Sequence, residues 1–273
     1  MPLPREELAR RLTTQPWTSH NIRLAPDVTT LPGQPDFLES DARLGSIVRA
    51  VSLAFGGRLE SLRAADLACL EGGFALALAQ RGMQVLGIEA RQANLDKALL
   101  LEEHFGLPNL AFRRDDVKNF TRERYGTFDL VLALGILYHL DRPVGWLRQV
   151  SELTRGMLVV ESHYAPADDA SLALLDPRLH RLGPLEPIEE RGEVYEGRWF
   201  FEYEADDDPE GKLWSSYSND RSFWLTKESL VRALRAGGFD LIWEQHDYSG
   251  ASYREQNLTY ARGLFCAVKT GDR

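Results

Sequence analysis

The sequence predicts an α/β fold: a doubly wound, mostly parallel sheet of seven strands, helices on both faces, an antiparallel last strand, and a cap inserted after strand five. Three observations predict it. Continuous apolar runs alternate with helical patterns from Arg63 to Glu161, as in parallel sheets covered on both sides. A tight turn, Ala68-Cys69-Leu70-Glu71-Gly72-Gly73, joins the first run to its helix. The next run, Val85-Leu86-Gly87-Ile88-Glu89, ends in an acid.

The elements follow in order. Residues 1–43 read as an N-terminal extension, with a short helix near Arg5–Leu12, then Trp17-Thr18-Ser19-His20 and a Pro/Gly-rich loop. Leu44, Ile47, Val48, Val51 and Phe55 recur at helical spacing and Gly56-Gly57 ends that helix. Strands are expected at 63–68, 84–89, 109–114, 128–134 and 157–161, and helices at 73–81, 92–105 and 143–154. Residues 44–164 and 222–273 are expected to form the main domain and 165–221 the cap. The cap contains Arg198-Trp199-Phe200-Phe201-Glu202-Tyr203, a strand candidate, and the acidic run Asp206-Asp207-Asp208, read as a solvated loop. Thr226 suits the N-cap of a helix at 227–236. Strands at 239–245 and 260–268, with no helical pattern between them, predict an antiparallel edge pair.

Composition bounds the function. The formal net charge of −9 argues against broad nucleic-acid binding. The chain has no uncharged apolar run of membrane-spanning length. Met1-Pro2-Leu3-Pro4-Arg5-Glu6-Glu7 lacks a signal-peptide core. The two cysteines, Cys69 and Cys266, form no disulfide framework and have no zinc spacing around them, so no metal is expected and the cytoplasm is the expected compartment. Oligomeric state is not legible.

A strand, a glycine turn, a helix, and a strand with an acid at its tip suit an adenosine-bearing cofactor. The turn lets backbone approach the ligand, and the acid accepts both hydrogens of a ribose diol. Ala68 and Leu70 stand where a dinucleotide fingerprint has glycines. A pyrophosphate needs bare amides there; a cofactor without phosphate suffers less.

Phe128-Asp129-Leu130-Val131-Leu132-Ala133-Leu134-Gly135-Ile136-Leu137-Tyr138-His139-Leu140, together with Asp66, Glu89 and Asp116, resembles the class I S-adenosylmethionine-dependent methyltransferase superfamily, a Rossmann-like fold. The resemblance covers roughly 44–162 and 222–270. It implies S-adenosylmethionine as cofactor and S-adenosylhomocysteine as product. It places Asp66, Ala68, Cys69, Leu70 and Gly72 along the methionine end. Glu89 and Ala90 fall at the ribose, and Asp115, Asp116 and Val117 at the adenine. Leu134, Gly135 and Tyr138 complete the implied cofactor set. The departures at Ala68 and Leu70 put a Cβ where the family has none, and a left-handed backbone at Leu70 carries strain. Tyr138-His139, Glu161 and the Arg254-Glu255-Gln256-Asn257 connection also resemble the tRNA wobble-uridine carboxymethyltransferase, which uses carboxy-S-adenosylmethionine.

Methyl transfer to a hydroxyl benefits from a general base. His139 and His163 follow adjacent strands at the edge where ligands of open α/β sheets bind, and both are expected to be catalytic. Trp17, His20, Glu161, Tyr164, Trp199, Arg221 and Trp224 are expected to contact the acceptor. The expected activity is methyl transfer to a small molecule, with oxygen the favoured target. The alternatives are tRNA modification with the carboxylated cofactor and a non-catalytic binding module that keeps the fold.

Overall fold

The computed structural model describes residues 2–203, 207, 211–248 and 259–271. The Arg254–Asn257 connection and Asp206 and Asp208 of the acidic run lie outside the described residues. Two compact units emerge, Met1–Val117 and Lys118–Arg273.

In the first unit, α1 (Arg5–Thr14) is followed by a two-stranded hairpin of β1 (Arg23–Ala25) and β2 (Val28–Thr29). The sequence reading had this hairpin as loop, because three and two residues are too few to show a period. The next helix, α2 (Ala42–Ala54), is capped by Asp41, which accepts from Leu44 N at 2.8 Å. Then β3 (Arg63–Leu67), α3 (Gly73–Ala79), β4 (Gln84–Glu89), α4 (Gln92–Phe105) and β5 (Leu110–Arg114) alternate as expected, with β3–β4 and β4–β5 parallel. Asp66, Gly87 and Phe112 stand in register across these strands. The Phe112 ring lies under the glycine turn: a Cβ on Gly72 would fall 2.6 Å from it, and one on Gly87 2.3 Å.

In the second unit, α5 (Arg122–Tyr125) precedes β6 (Phe128–Leu134), α6 (Pro143–Leu153) and β7 (Thr154–His163). Expected to end at Glu161, β7 runs two residues further, because β12 (Arg262–Val268) pairs with it antiparallel as far as Arg262 opposite His163. The segment expected as a cap holds α7 (Asp169–Ala173), β8 (Leu185–Glu190) and β9 (Glu193–Phe201); with β10 (Arg221–Leu225), which starts at its expected end and runs past it, the two strands form an antiparallel sheet in the order β10–β9–β8. It is pinned by Arg198, whose buried guanidinium donates to Pro166 O (2.9 Å), Gly183 O (3.0 Å) and Asp169 Oδ1 (2.8 Å). Thr226 caps α8 (Lys227–Ala236), accepting from Ser229 N at 3.2 Å. The last strands are β11 (Leu241–Glu244) and β12, an antiparallel pair at one edge of the sheet.

The fold is a seven-stranded, mostly parallel sheet in which β12 runs against its neighbours; within the second unit the order is β11–β12–β7–β6. The apolar strands β6 and β7 bury almost every side chain, among them Leu130, Leu132, Leu158 and Val160. Burial of each contributes about 1.5–3 kcal/mol. No helix among the described residues is long and apolar enough to cross a membrane.

Candidate active site

In the first unit the glycine turn keeps its shape without the full set of glycines. Ala68 and Leu70 sit at φ 55° and 53°, beside Gly72 at 79°. The strain expected at Leu70 is present, and Ala68 shares it. Asp66 is buried with one carboxylate oxygen, Oδ2, lacking a hydrogen-bond partner. Burial, with the nearby Glu89 charge adding, lifts its pKa to about 7 against the Ala75 amide. Glu89 is buried as well. Its Oε2 accepts from Leu70 N (3.0 Å) and its Oε1 from Arg91 N (2.8 Å). Burial raises its pKa despite those amides. Cys69 is buried beside Gly87, and burial pushes its thiol well above the usual range.

Ala90 follows at the strand tip, where its carbonyl accepts from Arg114 Nε at 3.3 Å. Asp115 is buried and accepts from Asp116 N at 2.9 Å; Val117 is buried and Asp116 half-buried. A buried, orphaned carboxylate oxygen and a second buried carboxylate at the strand tips fit a ligand rich in hydroxyl and amino donors, as a nucleoside with an amino-acid tail is. The narrow turn, with side chains at Ala68 and Leu70, suits a ligand without phosphates.

Glu71, given no role by the sequence reading, is fully buried inside this turn. It accepts from Thr18 N (2.6 Å), Thr18 Oγ1 (3.0 Å), Ser19 N (3.1 Å), His20 N (3.0 Å) and Lys97 Nζ (3.0 Å). Burial alone would raise its carboxyl; the His20 amide and Lys97 outweigh that and hold it low. The carboxylate thereby straps the extension onto the glycine turn. His20 Nδ1 accepts from Gly73 N at 3.2 Å at the start of α3, and its ring meets Phe74 edge-on at 5.5 Å. Burial depresses the His20 pKa to about 4. Trp17 is buried, its indole N–H without a partner. An acid inside a glycine turn, at a position a surface loop would not require, was the available signal for Glu71.

In the second unit, β6 ends in Leu134 and in Gly135 at φ 80°, whose N–H donates to Glu161 O at 2.9 Å. The following turn of helix, Leu137–His139, sets Tyr138 between two imidazoles: its ring centroid is 4.2 Å from that of His139 and 4.6 Å from that of His163. His139 Nδ1 lies 2.9 and 3.0 Å from the two Glu202 oxygens. His163 Nδ1 bonds Tyr260 O at 2.7 Å. A carboxylate and a carbonyl only accept, so in both neutral rings Nδ1 carries the hydrogen and Nε2 the lone pair. Burial, reinforced by the Arg262 charge, lowers the His163 pKa to about 4. Glu161, also buried, is paired with Arg262 at 3.1 Å, and that guanidinium stands over Tyr138 at 5.7 Å.

Trp224 completes this cluster, stacked on His163 (4.9 Å, 12°) and on Phe200 (4.9 Å, 24°), its buried indole N–H unpartnered. Leu179 and Leu182 of the cap pack against it. The structure therefore brings together His139, His163, Tyr138, Glu161 and Trp224. Tyr164, one residue past His163, takes the opposite side of β7, where Lys227 Nζ lies 4.5 Å from its ring. Trp199 and Arg221 also lie elsewhere. The Arg221 guanidinium sits 4.4 Å over the Trp199 ring, and both line a separate cavity of about 540 Å³ with Asp141, Arg142, Glu189 and Glu190. Alternation along β9 turns Phe200, not Trp199, toward the histidines. Glu202, Arg262 and Tyr260 had no part in the predicted site; Glu202 alone left a trace, as an acid breaking an aromatic run.

Comparison with known proteins places these features. Residues 59–199, more than half of the chain, match the family described as Methyltransferase domain. The chain is similar to the N-terminal domain of EvdMO1, crystallised in the presence of S-adenosylhomocysteine and D-fucose: 24% identity, TM-score 0.71, covering 98% of this chain and 97% of that one. Magnesium protoporphyrin IX methyltransferase from Synechocystis PCC 6803, with bound S-adenosylhomocysteine, is 17% identical, with TM-score 0.52 over 97% of this chain and 94% of that one. The ubiquinone biosynthesis O-methyltransferase of Acinetobacter baylyi is 28% identical over 99 residues, 36% of this chain and 42% of that protein. The chain thus spans less than half the length of the curated relatives it matches. By its strand order, its glycine turn and this match, the chain belongs to the methyltransferase-domain family and has the class I, S-adenosylmethionine-dependent fold.

Proposed function

We propose that this chain transfers a methyl group from S-adenosylmethionine to a hydroxyl oxygen of a small molecule. The observation that carries the reading is the imidazole pair around Tyr138, each ring held through Nδ1 with its Nε2 lone pair left for a proton or a hydroxyl. Asp66, Ala68, Cys69, Leu70, Gly72, Glu89, Ala90, Asp115, Asp116 and Val117 would hold the cofactor. S-adenosylmethionine supplies an electrophilic methyl carbon and leaves as S-adenosylhomocysteine.

His139 would take the proton of the acceptor hydroxyl on Nε2 as that oxygen is methylated. Its partner Glu202 carries the compensating charge. His163, with a pKa near 4, stays neutral at pH 7 and accepts a hydrogen bond without taking the proton. The aromatic faces of Trp224, Phe200 and Tyr138 exclude water around the imidazoles. The relatives' names support a hydroxylated acceptor, since one is a ubiquinone biosynthesis O-methyltransferase and another was crystallised in the presence of D-fucose.

For the carboxylated cofactor, the extra carboxylate would need a cation beside Tyr138. The guanidinium there, Arg262, is already paired with buried Glu161. Mass spectrometry of ligand released from the purified protein tests the reading. S-adenosylmethionine or S-adenosylhomocysteine is expected, and carboxy-S-adenosylmethionine would overturn it. Calorimetry with S-adenosylhomocysteine tests the non-catalytic alternative, which requires no binding.

A further inference from the structure

We propose that Glu202, supplied by the cap, is the positioning residue that makes His139 a base, by fixing its imidazole as the Nδ1–H tautomer; this rests on the reading of His139 as the proton acceptor. Glu202 follows the last residue of β9 and lies 63 residues from His139 in sequence. Its carboxylate is almost wholly buried, at 2% exposure, and is fully engaged. One oxygen accepts from Ser222 Oγ, the other from Ser216 N at 3.2 Å, and both face His139 Nδ1. The same network grips the backbone of the histidine. Asn219 Nδ2 donates to His139 O at 3.1 Å and to Ser222 Oγ at 3.2 Å. Ring and main chain are thus tied to one cap segment, and the ring has a single orientation left.

The chemistry follows from the pairing. A neutral imidazole in water favours hydrogen on Nε2, which would leave no lone pair at the atom the reaction uses. A buried acceptor at Nδ1 reverses that preference, and its negative charge stabilises the imidazolium formed when a proton arrives. Burial alone would favour a neutral Glu202 carboxyl; the His139, Ser222 and Ser216 contacts outweigh it and keep the group ionised. The other charged or titratable groups around His139 are His163 and Tyr138, with the Arg262–Glu161 pair behind Tyr138, and the Lys118–Asp141 pair at 3.1 Å flanking the loop. Among these described groups, the carboxylate in contact with the His139 ring is Glu202.

The test is two-bond proton–nitrogen NMR of the histidine side chains in the full-length protein, the His139 signals being those missing from His139→Gln. The native protein should show His139 as the Nδ1–H tautomer, and Glu202→Gln should move it toward Nε2–H. With S-adenosylmethionine and either D-fucose or catechol, Glu202→Gln should lower kcat about 100-fold, with KM for S-adenosylmethionine within about twofold. Should Glu202→Gln fail to fold, Glu202→Asp keeps the charge but withdraws it by one methylene. That variant should give a mixed tautomer and about a tenfold fall in kcat. An unchanged tautomer in the substituted protein overturns the proposal, whatever the activity. If the tautomer shifts but the native protein methylates neither acceptor, the positioning role stands and the proposed acceptor class fails. If His139→Gln abolishes turnover while Glu202→Gln leaves both tautomer and kcat unchanged, the function stands and this proposal fails.

Discussion

Glu71 and Lys97 form an ion pair at 3.0 Å with side chains 0% and 3% exposed, at the point where the glycine turn enters α3. Such a pair adds little net stability by itself, but breaking it strands a charge in the interior. Lys97→Met should therefore cost about 3–5 kcal/mol in urea unfolding, and the double variant Glu71→Gln/Lys97→Met distinctly less. Because Glu71 also holds the Thr18–His20 amides, limited proteolysis of Lys97→Met should cut first near Thr18. Equal costs for the single and double variants would contradict this account.

Acid sensitivity should come in part from two imidazoles. His20 and His163 are held to pKa values of about 4, against about 6.5 for the unfolded ring. Between those limits the unfolded chain binds the protons and the folded chain does not, so stability falls as pH drops from about 6.5 to about 4 and levels off below. Each site contributes on the order of 3 kcal/mol across that window. Asp66 acts in the opposite sense: with its carboxyl raised to about 7, it removes stability as pH climbs from about 4 toward 7. Denaturation of His163→Gln at pH 7 and pH 4.5 should show a shallower acid loss than the native protein.

The turn separates strain from shape. At Ala68 the left-handed backbone is occupied by a residue with a Cβ, so Ala68→Gly should be neutral or stabilising by up to about 1 kcal/mol. At Gly72 the space is taken by Phe112. Gly72→Ala should lower the melting temperature and weaken S-adenosylhomocysteine binding in calorimetry, because either the ring or the turn must move.

The two histidines should part kinetically. His139→Ala removes the proposed proton acceptor, and kcat should fall about 100-fold or more with KM for S-adenosylmethionine little changed. His163→Ala removes a neutral acceptor and a stacking partner of Trp224, so its main effect should be a higher KM for the acceptor. Steady-state kinetics of both variants decides the assignment.

Arg198 offers a purely structural check. With its guanidinium at 1% exposure and bonded to Pro166, Gly183 and Asp169, Arg198→Met should destabilise the protein by about 3 kcal/mol, since one buried and one half-buried carbonyl lose their donors. Chemical denaturation measures it.

The fold was legible because β3 to β7 are largely apolar runs alternating with helical patterns, clearest in α4 and α6, and that alternation survives without any tertiary information. The hairpin at Arg23–Thr29 was not legible because its strands are too short to show a period, and the exact reach of β7 because it is set by β12, distant in the chain. Asp66, Glu89 and the two histidines could be singled out from sequence because each stands at or near the carboxyl end of a strand, where ligands gather. Glu202 and Arg262 could not. Their roles come from strands that return to the histidines after long excursions, and apart from Glu202 interrupting an aromatic run nothing local marks them. Trp199 and Phe200 show the limit most plainly: both are aromatic and adjacent, and only the pleat of β9 decides which one meets Trp224.

That pleat has a consequence for how such a protein can change. Arg198, Phe200 and Glu202 sit on even positions and Trp199 on an odd one, so a single ribbon of chain serves two surfaces that drift independently. Substitutions on odd positions can remodel the outer recess while leaving the proton-handling side intact. Deletion of one residue between Gly197 and Glu202 would exchange the two sides at a stroke. Variation in cap length there should therefore come in pairs of residues.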